Sequence, residues 1–166
     1  MKKKLIIAIV ILAAAALLWR LWPHSFSHFI SEGSSVTALS VGVLLPGVEE
    51  SKPVVDSYAM EIPDPQGSEL KAILEILATS RYRQDFRNLL PWESGSISSG
   101  KDDPRTLTLV FMTGAQKEAS VKIQFCGSRT VAVDFGSENK TYLYHPTDRT
   151  VLDRLTEYLK ANGTKS

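Results

Sequence analysis

Cysteine is nearly missing: Cys126 is the one thiol in 166 residues. A single cysteine closes no internal disulfide, and its spacing to the three histidines, 24, 28 and 145, matches no zinc site. It ends the alternating run Val121–Cys126 and reads as a passive, half-buried thiol. Catalytic signatures are missing as well. The chain holds no Gly-x-Ser-x-Gly elbow and no His-Glu-x-x-His helix. His145 has no Ser or Cys at a recognisable spacing. The 18 acidic residues allow too many carboxylate pairs for any one to signify glycoside hydrolysis. Concentrated positive charge is scarce too. All 18 acids lie beyond Pro23, against 15 of the 19 basic residues, so that part carries a net charge of −3. Nucleic acid demands a dense basic footprint, so it is excluded as a partner. No catalytic, cofactor-binding or metal-binding residue is assigned, and no cofactor is expected.

What is present begins with an apolar run, Leu5 to Trp19, behind Lys2, Lys3 and Lys4 and ahead of Arg20-Leu21-Trp22-Pro23. Counted from Leu5 to Trp22 it holds 18 residues, about 27 Å as a helix. That approaches the roughly 30 Å of a bilayer's hydrocarbon core, with Trp19 and Trp22 suited to the headgroup layer. The expectation is a transmembrane signal anchor over 5–22, a single pass, with the N-terminus cytoplasmic because the lysines precede it. A cleaved signal peptide would share the basic and apolar regions, and would leave the domain secreted. Either way the remainder is expected to be extracytoplasmic.

The expected organisation is a basic cytoplasmic tail at 1–4, the anchor at 5–22, a Ser-rich juxtamembrane linker at 23–35 and one domain at 36–166. Alternation predicts strands over Val36–Leu45 and Val54–Ile62, with Pro46-Gly47 as the turn between them. Asp64-Pro65 predicts a helix start, followed by the apolar stripe Leu70, Ile73, Leu74 and Leu77. Arg81 to Trp92 would add a further helical turn or two. Leu107, Leu109 and Phe111, then Val121, Ile123 and Phe125, then Val131, Val133 and Phe135 each alternate as strands, and Lys140–Tyr144 makes a fourth. Gly127-Ser128 resembles a two-residue hairpin turn. Thr147 or Asp148 opens a last helix with Val151, Leu152, Leu155, Tyr158 and Leu159 on one stripe. The fold expected is α+β in two layers: an antiparallel four-strand meander plus one or two N-terminal strands, covered by two helices.

The run Ile73-Leu74-Glu75-Ile76-Leu77 through Arg81-Tyr82-Arg83, the meander, and Tyr142-Leu143-Tyr144 with the helix Val151 to Leu159 resemble a family of exported, membrane-anchored single-domain proteins of Gram-positive bacteria. The likeness covers roughly residues 54 to 160 and rests on pattern. It implies a fold and carries over no functional residues.

Arg81, Arg83 and Arg87 interleave with Tyr82, Asp85 and Phe86. If helical, Arg83 and Arg87 would share a face and clamp an anion; the bland alternative is a solvated face paired with Asp85 and Glu75. Trp92 either folds over the core or protrudes as an anchor for a partner. Gly95 to Lys101 matches the start of a phosphate-binding loop, but Asp102 stands where a magnesium-binding hydroxyl belongs and, with Asp103, would repel a phosphate, so the match is a coincidental loop. His24 and His28 would share a face only if the helix ran past Pro23. The function expected is a membrane-tethered, non-catalytic extracytoplasmic domain. Its partners would be the lipid bilayer, through the N-terminal helix, and a protein or envelope component. The alternatives are a small exported hydrolase whose site forms only in three dimensions, and a structural subunit of an envelope complex using Ala8 and Ala13 to Ala16 as a helix interface.

Overall fold

A computed structural model describes residues 2–30, 36–49, 52–89, 102–113, 119–136 and 140–165. The chain opens with α1 (Lys2–Arg20) and β1 (His24–Ser25), then a 3₁₀ turn at Phe26–His28. A long hairpin follows, β2 (Val36–Glu49) against β3 (Lys52–Ile62). Next come α2 (Ser68–Ala78), β4 (Arg81–Gln84) and a 3₁₀ turn at Phe86–Leu89. The rest is β5 (Thr106–Thr113), β6 (Ala119–Cys126), β7 (Thr130–Phe135), β8 (Thr141–Pro146), α3 (Val151–Asn162) and β9 (Thr164–Lys165).

These strands form one nine-stranded antiparallel sheet in the order β1-β4-β8-β7-β6-β5-β2-β3-β9. The expected four-strand meander with one or two added strands is therefore corrected. β5 to β8 do lie side by side, but the β2–β3 hairpin continues the sheet beyond β5, and β4 continues it beyond β8. The two-residue strands β1 and β9 close the ends. Alternation in β5 is complete, with Leu107, Leu109 and Phe111 fully buried and Thr106, Thr108 and Val110 on the other face. One face of the sheet thus holds the core and the other meets solvent. Leu70, Ile73 and Leu77 of α2, and Val151, Leu152, Leu155 and Leu159 of α3, join that core.

Local boundaries differ from expectation for identifiable reasons. Pro46-Gly47 does not turn; β2 runs through it to Glu49, paired with β3 alone past Leu44, where a proline is tolerated. Asp64 does not cap α2. Its side chain accepts from the Gln66 amide in a turn, and the helix begins after Gly67. Three residues, Gly127 to Arg129, separate the paired Cys126 and Thr130, in place of a two-residue turn. Gly127 adopts φ +65°, and a Cβ there would stand 2.7 Å from the Asp103 carbonyl oxygen, so the site requires glycine.

The N-terminal expectations need the largest correction. Among the described residues no helix is long and apolar enough to cross a membrane. α1 stops at Arg20, so Leu21 and Trp22 do not lengthen it. The apolar stretch inside it, Leu5 to Trp19, spans about 22 Å, short of the hydrocarbon core. The transmembrane signal anchor over 5–22 is not supported. Nor is 24–30 a linker: Phe26 and Phe29 are buried, and Phe29 packs edge-on against Tyr82 and Tyr144. Those aromatics draw β1 and the following 3₁₀ turn into the domain.

Candidate functional site

Arg81 and Arg83 lie on β4, a strand where a helical turn was expected. The reason is Tyr82. It is fully buried, ringed by Phe26 and Phe29, and its hydroxyl donates to the Leu77 carbonyl. With Tyr82 facing inward, period-two alternation turns both arginines outward, about 7 Å apart along the strand. Arg83 stands directly across from His145 on β8. Neither arginine makes a side-chain hydrogen bond or ion pair among the described residues, and the same holds for exposed Arg129.

Arg87 is not on a common face with Arg83. It sits in the 3₁₀ turn after β4, committed to Asp85: its Nη2 donates to Oδ2 at 2.8 Å and its backbone amide to Oδ1 at 2.9 Å. His145 completes the group. Its Nε2 stands 2.9 Å from Asp85 Oδ2 and its Nδ1 2.9 Å from the Arg129 carbonyl oxygen. Both ring nitrogens therefore face oxygen acceptors. Asp85 is 6% exposed. Burial alone would raise its carboxyl, yet the hydrogen bonds from Arg87 and His145 draw it down to about 2. Asn88 fastens the same corner, its side-chain amide donating to the Leu143 carbonyl and accepting from the Leu143 amide.

This corner therefore carries a buried, saturated carboxylate under an outward surplus of positive charge. Asp148, which follows the Thr147 bonded to the Arg81 backbone, is already paired with Arg154. A hydrolase built on His145 would need that ring joined to two carboxylates in a concave site. It reaches one, and both nitrogens are engaged.

A second ionic cluster lies across the sheet end. Arg105 Nε donates to Asp103 at 2.7 Å and its Nη1 to Asp153 at 2.6 Å, and the Ser128 amide donates to Asp103. Arg105 holds the Asp103 carboxyl down to about 2. Asp103, Arg105 and Ser128 line a shallow depression together with Arg129 and Cys126, and burial pushes that thiol's pKa up, which makes it a poor nucleophile. His24 and His28 do meet, although the helix ends before them: their rings stack at 4.3 Å. Among the described residues no three His, Cys, Asp or Glu side chains could together hold a metal ion.

Trp92 and the 95–101 loop lie outside the described residues. Sequence reasoning missed Asp85 and Asn88 as the organisers of the corner. Asp85 two residues before Arg87 was the one available signal. No protein family, curated protein or solved structure matches the chain.

Proposed function

We propose that this chain is an exported, non-catalytic interaction domain that grips an anionic component of the cell envelope at the β4–β8 corner. The observation that carries the reading is the pair Arg81 and Arg83, two exposed guanidiniums without side-chain partners among the described residues, beside a histidine held by Asp85. Guanidiniums engage phosphate and carboxylate oxygens in pairs, and a strand fixes Arg81 and Arg83 at a constant spacing. Export is supported by the three lysines followed by 15 apolar residues, the order of a secretory signal. The exposed apolar surface of α1 makes the lipid bilayer a second partner, by contact along the helix.

The test titrates the purified chain with polyphosphate and with polyglutamate, which separates phosphate from carboxylate recognition. Binding should weaken with added salt, and the double variant Arg81→Ala/Arg83→Ala should lower affinity about tenfold without changing the fold. Equal affinity in the double variant would remove the corner as the site.

A further inference from the structure

On the inner face of the sheet, opposite the arginines, four neighbouring strands each supply a flat group to one cleft. His24 comes from β1, Gln84 from β4, Tyr142 and Tyr144 from β8 and Phe135 from β7, with Trp19 at the end of α1 forming the lip. His28 stacks on His24, 16° from parallel. The cleft measures about 350 Å³, at the small end of the range for ligand sites.

Among the described residues, none that line it carries a permanent charge. Burial and the neighbouring His24 lower His28's pKa, so that ring stays neutral at neutral pH. Lys140 already sits over the Tyr142 ring, 5.3 Å from its centroid, and would repel a second cation. An anion would meet only that same Lys140 ammonium, which already donates to the Asn88 carbonyl oxygen at 2.9 Å. What remains among the described residues is the exposed Trp19 indole, the half-buried Phe135 and Tyr142 rings and the stacked His24–His28 pair, with the Gln84 amide beside them, while Tyr144 is buried against Phe29. A pyranose ring is the complementary object, with an apolar C–H face to lie on a ring plane and a rim of hydroxyls to hydrogen-bond.

We infer that this cleft binds a neutral saccharide, one or two rings long, by stacking on its aromatic planes with Gln84 and the ring nitrogens meeting the hydroxyls. The site is separate from the basic corner: Gln84 and Arg83 are adjacent residues on opposite faces of β4.

The experiment uses the full chain in a polyoxyethylene detergent, which carries no sugar headgroup. Saturation-transfer NMR is recorded with cellotetraose and with the tetramer of N-acetylglucosamine, and with choline as the cationic comparison. Saturation should pass to the C–H protons of at least one oligosaccharide and not to choline. Tyr142→Ala and Gln84→Ala, checked for folding by circular dichroism, should each lower affinity about fivefold, while Tyr142→Phe keeps most of it. Arg81→Ala/Arg83→Ala should leave sugar binding unchanged, so the two sites stand or fall separately. No transfer to either sugar at about 10 mM, equal transfer to choline, or folded Ala variants with unchanged affinity would each overturn the assignment.

Discussion

At Asp85 four nitrogen atoms, three from Arg87 and one from His145, converge on one buried carboxylate, and the energetic sign follows from its folded-state pKa of about 2 against an ordinary 3.8. A carboxyl depressed by folding stabilises the native state fully above its unfolded value, and that share disappears as pH falls from about 4 to about 2. Nearly two units correspond to about 2 kcal/mol for a side chain this buried. Asp85→Asn should therefore lose about 2 kcal/mol at pH 7 by urea unfolding. The difference from the native sequence should close toward pH 2, where the native carboxyl is itself about half protonated. Asp103 titrates over the same window and cancels in that comparison, because both chains retain it. A constant difference across the range would assign the cost to packing rather than charge. Little of this was legible beforehand. Asp85 was seen as a neutraliser of a solvated arginine face, whereas its partner His145 lies 60 positions away, brought close only by β4–β8 pairing.

Strands with strict alternation over eight residues announced themselves, as β5 does, because one buried face forces period two. β4 could not. Four residues, Arg-Tyr-Arg-Gln, hold a single apolar position, and what decides their conformation is the free edge of β8 and the aromatic cluster around Tyr82. The β2–β3 hairpin was read too short for a related reason. A proline and glycine punctuate most chains, yet here the pairing Pro46↔Val55 and Gly47↔Val54 carries the ladder past them. Where β4 ends, Asn88 continues its role, one side-chain amide meeting both the N–H and the C=O of buried Leu143. Asn88→Ala removes both bonds and leaves a buried amide without that acceptor, which should cost about 2 kcal/mol. Hydrogen exchange at the Leu143 amide should quicken well beyond the change at β6. Uniform acceleration across the sheet would mean that Asn88 supports global stability and does not specifically hold β8.

For the molecule as a whole, α1 is the outlier. Leu5, Ile6, Ile7 and Ile11, which between them point to different sides of the helix, are all more than half exposed, so the helix buries no face of its own against the domain. The core is complete without it, from Phe26 and Phe29 through the inward rows of the sheet to α3. Its 15-residue apolar stretch lies within the range of a signal peptide's apolar region and falls short of a bilayer's width. Folding and delivery should thus be separable. Deleting residues 1–16 retains Trp19 for the aromatic cleft and should shift the thermal midpoint by no more than about 2 °C. The same deletion should strand a reporter fused after Ser166 inside the cell, while the full chain carries it outside. A large drop in the midpoint would make α1 part of the fold. An undiminished external signal from the shortened chain would show that the apolar segment does not direct export.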